Sequence, residues 1–494
     1  MIFARTLSLM VVGRRRCASA AAVVTAAVTL IGVFGASGNA EASNTALLRL
    51  LQVLRDRGSI SAQDYEDIRR VAEATEGDAP SLSTQPALTE RVAAQEKAIA
   101  EIKAATAGTP APVVSRALSG KWYERISLRG YAQLRYSETS LADGPALEVP
   151  NDRSVNPHES FVLRRGRLVF SGDPSDHLGL YTQVDFSAST GAADFSVQMR
   201  DLYGDVWFDR AKTYRVRLGQ QKIPFGWSNL QSSQNRAALE RADAINSALE
   251  GERDLGATFM WASPLARQRF RDITAQGLKG SGDYGVVAVG LYAGQGPNRS
   301  DQNGAPHLVA RVSYPFKLTG GQFVELGVQA YHGRFVSPTQ SITIGSTTFT
   351  PGQAAAGTRD QRVAVTVVAY PQPVGVEAEW TFGRGPALAA DQRSIDAESL
   401  MGGHLQLNYK GRNALGTWFP FTRWNYYDGA RKFARNAPRV AVNEVDLGVE
   451  FVRWADVELT AMYTRTLRRT RTSAFPYGTT RDANRVGFQV QWNY

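Results

Sequence analysis

The chain is poor in cysteine, histidine and lysine, and each shortage excludes something. One cysteine occurs in 494 residues, and it is Cys17. It lies inside an N-terminal segment that reads as an export signal. Disulfides and cysteine metal ligands therefore carry none of the mature chain's chemistry. The five histidines, at 158, 177, 307, 332 and 404, show no close ligand spacing. No metal site and no cofactor is expected. A phosphate-binding glycine loop of the Walker type and a G-x-S-x-G elbow are both missing, so the chain is not read as an enzyme. The alternative is a triad assembled from scattered Ser and His, which predicts turnover of a lipid or a peptide. Lysine is scarce, and arginine carries most of the positive charge.

The N-terminus has the parts of a secretory signal. Arg5 and Arg14-Arg15-Arg16 make a basic start, Ala18 to Gly35 is apolar and small, and Ala40-Glu41-Ala42 is a small-x-small cleavage site. Residues 1–42 are expected to be removed, with a membrane anchor as the alternative. Losing four arginines and Glu41 lowers the formal charge from +10 to +7. That mild excess in an exported protein points to no nucleic-acid partner.

Residues 43–112 read as a periplasmic helical region with linkers. Leu47, Leu48, Leu51 and Leu54 form one apolar stripe that Gly58 stops, and Ser61 opens a second helix. Residues 76–87 are a Pro/Ser/Thr-rich linker. Leu88, Val92, Gln95, Ile99 and Ile102 then follow an a/d seam for about two heptads. That is too short to be stable alone. It reads as a trimerising coiled coil, or as a helix lying on a neighbouring surface.

From Arg125 the texture changes to period two, and residues 113–494 read as one barrel domain. Ile126, Leu128, Gly130, Ala132 and Leu134 share one face, and Arg129, Tyr131, Gln133 and Arg135 share the other. The same alternation recurs at 180–186, 324–331, 374–382, 444–451 and 485–494. Long and short connections alternate, joining roughly sixteen strands with no helix expected between them. That is the outer-membrane pattern of an even-stranded antiparallel β-barrel. Lipid offers no hydrogen-bond partners, so a sheet there must close on itself. The apolar faces then meet lipid, and sixteen strands leave a water-filled lumen. Tyr214, Tyr314, Tyr370, Trp454 and Tyr494 are expected in an aromatic girdle at the turn end, and Phe186, Tyr292 and Phe382 at the loop end. The stretch 263–283 is too long for a turn, and the flanking strands are expected to extend into it.

Two strands, beginning at Tyr214 and ending at Trp261, are separated by about 32 residues. Loops of that length are usually functional or disordered. This one carries Arg236, Glu240, Arg241, Asp243, Glu252, Arg253 and Asp254. It is read as folding into the barrel and narrowing it, or else as a surface loop with solvated charges. Arg129, Arg135, Arg165, Arg167, Arg215, Arg217 and Arg423 are expected to face the lumen. Guanidinium stays charged and pairs bidentately with phosphate oxygens, which suits anion passage. Alternatively these arginines pair with acids such as Glu377, Glu444 and Glu450.

The run Phe161-Val162-Leu163-Arg164-Arg165-Gly166-Arg167-Leu168 resembles an early strand of the phosphate-selective porin O and P family. So does Arg217-Leu218-Gly219-Gln220-Gln221-Lys222-Ile223-Pro224-Phe225-Gly226, followed by Ser232-Ser233, Glu240-Arg241 and Arg253-Asp254-x-Gly256. The Gly-x-Ile-Ser turn at Gly58 to Ser61 and the short coiled coil are also similar. The resemblance implies a homotrimeric porin in the bacterial outer membrane, surrounded by its lipid. It implies passive diffusion of small inorganic anions, phosphate or polyphosphate-like, past a constriction at 222–253. With the lumenal reading above, it gives as anion-binding candidates Arg165, Arg167, Arg215, Arg217, Lys222, Arg241 and Arg253. A weakly selective general porin, or a structural or adhesion barrel tethering outer membrane to cell wall, remains the alternative.

Overall fold

The computed structural model describes residues 121–494, apart from 142–146, 148, 150, 151, 153, 156–159, 191, 192, 250, 252, 473 and 474. The signal segment, the helical region and the coiled coil expected at 1–112 lie outside the described residues.

The sheet has seventeen hydrogen-bonded segments, and one of them, Gly411–Asn413, continues its neighbour, which leaves a sixteen-stranded antiparallel barrel. In chain order the strands are β1 (Ile126–Leu141), β2 (Ser160–Gly172), β3 (Leu178–Thr190), β4 (Ala193–Trp207), β5 (Tyr214–Lys222) and β6 (Arg253–Trp261). Then come β7 (Val287–Tyr292), β8 (His307–Lys317), β9 (Phe323–Phe335), β10 (Thr358–Ala369) and β11 (Val374–Leu388). The last five are β12 (Ile395–Tyr409), β13 (Gly416–Ala430), β14 (Arg439–Trp454), β15 (Val457–Thr472) and β16 (Phe475–Asn493). Each strand pairs with the next, and β1 closes on β16 from Tyr131↔Asn493 to Leu141↔Ala483. Closure leaves no unpaired edge for lipid to meet.

Period two becomes inside and outside. On β9 and β10, Leu326, Val328, Val363, Val365 and Val367 are exposed, while Gln329 and Thr366 between them are each 1% exposed. Grease faces out and polar groups face in, as expected for a barrel in lipid. The girdle is partly as expected. Tyr214, Trp454, Tyr494, Phe186 and Phe382 are exposed, but Tyr292 and Tyr370 are buried inside. Tyr292 follows the outward Leu291 by one residue, and that single step turns it inward.

One further expectation changes. The β3–β4 and β15–β16 connections are short, because these strands run on beyond what a membrane requires; β16 alone has 19 residues. In the loop 223–252 lie the short helices α1 (Trp227–Leu230) and α2 (Asp243–Ala248), and in the β6–β7 connection lies a full helix, α3 (Pro264–Ala275). Strands do not extend into 263–283. The Ser263 side chain caps α3 by accepting from Ala266 N–H, and Pro264 supplies its first position. Ile273 and Leu278 then pack against Trp227, Phe323, Val368 and Tyr370 inside the barrel.

Candidate functional site

The loop between β5 and β6 crosses the lumen and is held on several walls. Gly226 opens it with φ 79°, a conformation that suits glycine. A Cβ there would meet Ile245 Cδ1 at 2.6 Å. Phe225 stacks edge-on against Tyr331, with ring centroids 4.9 Å apart. Trp227 Nε1 donates to Glu325 at 3.1 Å, and Ser228 Oγ donates to Glu379 at 2.9 Å. Ile245, Ala248 and Leu249 bury against Tyr292, Val309, Tyr331 and Ala364. On the other side, Gln133 Nε2 donates to the Ser233 carbonyl at 3.1 Å and Arg167 donates to Ser233 Oγ at 2.9 Å. The lumen is therefore narrowed far below the bore of an empty sixteen-stranded barrel, and many lumenal side chains are buried.

Glu240 is the hub of this loop. Its carboxylate accepts from Arg135 at 3.0 Å, Arg164 at 2.9 Å and Arg165 at 3.0 Å, and its carbonyl accepts from Arg423 at 2.6 Å. One residue thus ties β1 and β2 to β13 across the lumen. Burial works to raise the Glu240 carboxyl, but Arg164, Arg165 and Arg135 outweigh it and hold it well below the usual carboxylate range.

The candidate arginines do line the inner wall, and most are neutralised pairwise. Arg167 pairs with Asp185 at 2.9 Å, and Arg217 with Asp205 at 2.7 Å. Arg215 reaches Asp205 at 3.5 Å, and Arg253 reaches Asp201 at 2.8 Å. Arg423 pairs with Asp446 at 2.7 Å. Arg129 faces inward near the turn end, 5.9 Å from the Tyr181 ring. The partners are not the acids named from sequence. Glu377 holds His404 at 2.8 Å, Glu444 holds Arg468 at 2.8 Å, and Glu450 holds Lys279. Lys222 is committed differently. Its ammonium donates to the carbonyls of Asn229, Leu230 and Gln231 at 3.0, 3.0 and 2.9 Å, which satisfies the end of α1.

Arg236 is the exception. It is 9% exposed, and none of its three guanidinium nitrogens meets a hydrogen-bond acceptor. Among the described residues it is the one buried guanidinium so placed. Burial, then the Arg165 charge, lowers its pKa well below the usual arginine value. It lies with Arg241 and Glu240 in a recess whose far side is Glu377, His404, Gln406 and Arg423. A buried cation without an acceptor costs several kcal/mol, of order 3–5, so an acceptor supplied from solution would be held strongly. Residue type gave Arg236 no distinction from its charged neighbours. Its bare state depends on Glu240 pointing at β1 and β2 instead, which needs the loop's conformation. The recess brings Arg236, Arg241 and, through Glu240, Arg165 together; Arg167, Arg215, Arg217 and Arg253 lie along the wall in their own pairs.

No curated protein matches the sequence. Among solved structures, similarity extends to outer-membrane barrels at low identity. One is an anion-selective porin from Comamonas acidovorans, with 8% identity, TM-score 0.43, and coverage of 75% of this chain and 99% of that one. Another is the outer membrane channel DcaP of Acinetobacter baumannii, with 15% identity, TM-score 0.45, and coverage of 75% and 97%. A third is OmpT of Vibrio cholerae in a trimer form, with 13% identity, TM-score 0.46, and coverage of 75% and 100%. None of these likenesses is close enough to speak to what this chain conducts. The sequence model of one family, described as phosphate-selective porin O and P, matches residues 146–449. That match spans more than half of the chain, and with it this closed barrel belongs to the phosphate-selective porin O and P family, as an outer-membrane channel.

Proposed function

We propose that this porin mediates passive diffusion of small anions, phosphate or polyphosphate-like oxyanions, through the passage narrowed by the loop at 222–253. The observation that carries the reading is Arg236, a buried guanidinium with no acceptor of its own, in a recess shared with Arg241. Oxyanions present several acceptors to a planar fork of donors, so Arg236 recruits them in preference to chloride. Arg165, Arg167, Arg215, Arg217, Lys222, Arg241 and Arg253 set the surrounding field, largely through pairs that an anion competes for but does not break. Release follows because the opposing recess wall carries Glu377. The unit in the membrane is proposed to be a homotrimer, with residues 1–42 as a cleaved export signal and 43–112 as a periplasmic helical and coiled-coil region with linkers.

A second reading, a weakly selective general porin, has its own support in the pairwise neutralisation of the inner wall. Planar-bilayer reversal potentials separate the two. Asymmetric chloride, with and without added phosphate, should show a net anion preference in wild type and phosphate block of the chloride current. Arg236→Gln removes one charge-assisted site worth about 2 kcal/mol, so half-block should need roughly 30-fold more phosphate. A variant that blocks at the same phosphate concentration as wild type sinks the anion-site reading and leaves the general porin.

A further inference from the structure

The barrel's outer face carries three arginines that the pore does not use. Arg334 on β9, Arg359 on β10 and Arg384 on β11 all project outward and are exposed. They lie at the long-loop end, which faces the cell exterior in outer-membrane barrels. Register places them together. Arg334 is directly opposite Arg359, and one outward row below, Gln361 on β10 is opposite both His332 and Arg384. Cross-strand like charges repel when directly opposed. Among the described residues no carboxylate pairs with any of the three. Arg334 donates to the Gly357 carbonyl at 3.1 Å and Arg384 to the Ala397 carbonyl at 3.0 Å. A guanidinium has five N–H donors, so most of theirs remain uncommitted. Arg465, also outward-facing, shows the ordinary solution: it pairs with Asp482 at 2.7 Å.

Directly below the arginines the wall is hollowed. The next outward row reads Ala310, Ala330, Val363 and Phe382 across β8, β9, β10 and β11. Two alanines between larger side chains leave a groove of about 520 Å³, with Leu308 on its flank. Its upper edge is His332, Gln361 and Arg384. An apolar groove running down the barrel from a cluster of unneutralised guanidiniums matches one ligand chemistry: a phosphate head with an acyl chain attached.

We propose that this face of β8 to β11 is a binding site for a phosphorylated lipid of the outer leaflet. The phosphate sits among Arg334, Arg359 and Arg384, relieving the repulsion between the opposed pair. One acyl chain lies along Ala310 and Ala330 toward the membrane interior. A lone interfacial arginine only keeps its head in water, at little cost. Arg384 on the rim of the groove, with Arg334 and Arg359 in the row above it and no acid paired to any of them, does more: each can give a phosphate a bidentate bond.

The test uses the full-length protein extracted from outer membranes and delipidated in detergent, with diphosphorylated lipid A as probe. Binding is read by native mass spectrometry across a titration. The triple variant R334Q/R359Q/R384Q should bind about tenfold more weakly or worse, given charge-assisted bonds of this kind. Arg465→Gln should match wild type. The substituted side chains face solvent or lipid, and the unboiled electrophoretic band confirms that each barrel is folded. Ala330→Trp, which fills the groove and keeps all three charges, should also weaken binding. Dephosphorylated lipid A should bind wild type no better than the triple variant, and millimolar inorganic phosphate should leave lipid A bound. Equal binding by the triple variant overturns the proposal. So does displacement by inorganic phosphate, which would make the site a free-anion site. So does a crosslink from Val363→Cys to a second copy of the chain, which would make this face a subunit interface.

Discussion

Replacing Glu240 with Gln tests the constriction more sharply than removing any arginine does. The carboxylate binds Arg135, Arg164 and Arg165 at 2.9–3.0 Å. Arg135 keeps Asp152 at 3.0 Å, but Arg165 loses its only carboxylate partner among the described residues. Glu240→Gln therefore adds one net positive charge where the loop crosses the lumen. Two charges 4 Å apart interact by about 4 kcal/mol at an effective dielectric of 20. For an ion passing at roughly twice that distance and partly screened by salt, about 1 kcal/mol remains. Anion permeability should rise and cation permeability fall by about fivefold each, so their ratio should rise about 25-fold, opposite in sign to the change from Arg236→Gln. Reversal potential across a salt gradient in planar bilayers reads both. The loop also loses an anchor, so open-channel noise should increase. Because the arginines outweigh burial and hold the Glu240 pKa well below the usual range, the carboxylate keeps its charge to lower pH than a free carboxyl does. Its contribution is present above the unfolded pKa and is lost only as pH falls through the depressed folded value. Wild-type selectivity should then hold steady as pH falls from 7 through the ordinary carboxylate range, as far as this residue decides it. A Glu240→Gln channel with unchanged ratio, or one shifted toward cations, would refute the picture of Glu240 as the charge that masks the arginines.

Lys432, in the connection between β13 and β14, is buried against Asp360 at 2.5 Å, and burial pushes its pKa down to about 8. Between pH 8 and its ordinary value the folded state binds fewer protons than the unfolded one, so stability should rise with pH there, by about 3 kcal/mol at most; denaturant unfolding of wild type and Lys432→Met should differ in that pH slope, and equal slopes count against it. Lys279 pins the segment after α3 to Glu450 and reaches Glu458 at 3.7 Å. Lys279→Ala should free that segment, which includes Gly277, Gly282 and Gly285 at positive φ, and raise single-channel conductance; an unchanged conductance means that the segment does not obstruct the turn-side mouth. Gly226→Ala forces a side chain into a positive-φ position and against Ile245, at a cost of order 1–3 kcal/mol, and should broaden the distribution of conductance levels.

The barrel was legible because lipid and lumen impose opposite demands on alternate residues. Val363 and Val365 had to be apolar, and Thr366 and Gln329 had to be polar, whatever their neighbours were. Strand number followed from counting those alternations. The girdle failures have a common cause, which is that they turn on a single residue of register. Tyr292 and Tyr370 looked like girdle residues by position, yet parity points both inward, where they wall the packing site for the loop. The helix at Pro264–Ala275 did leave a signal, Ser263 followed by Pro264, but it was hidden by the presumption that outer-membrane turns contain no helix.

The lumenal arginines show the same limit at the level of charge. That Arg167 and Arg217 face inward follows from alternation within one strand. That Arg167 meets Asp185 and Arg217 meets Asp205 follows from pairing between strands, where each is directly opposite the other. Nothing in the local sequence fixes that register, so a row of arginines could be counted but not discharged. Once the pairs are drawn, the wall from β2 to β6 is close to zwitterionic, and its arginines stop being distinguishing. Selectivity must then come from the charge left over. Among the described residues the leftover sits on the crossing loop, at Arg236, and Glu240 decides how much of the neighbouring wall is added to it. A porin built this way can change its ion preference by moving one carboxylate on the loop while the barrel stays as it is.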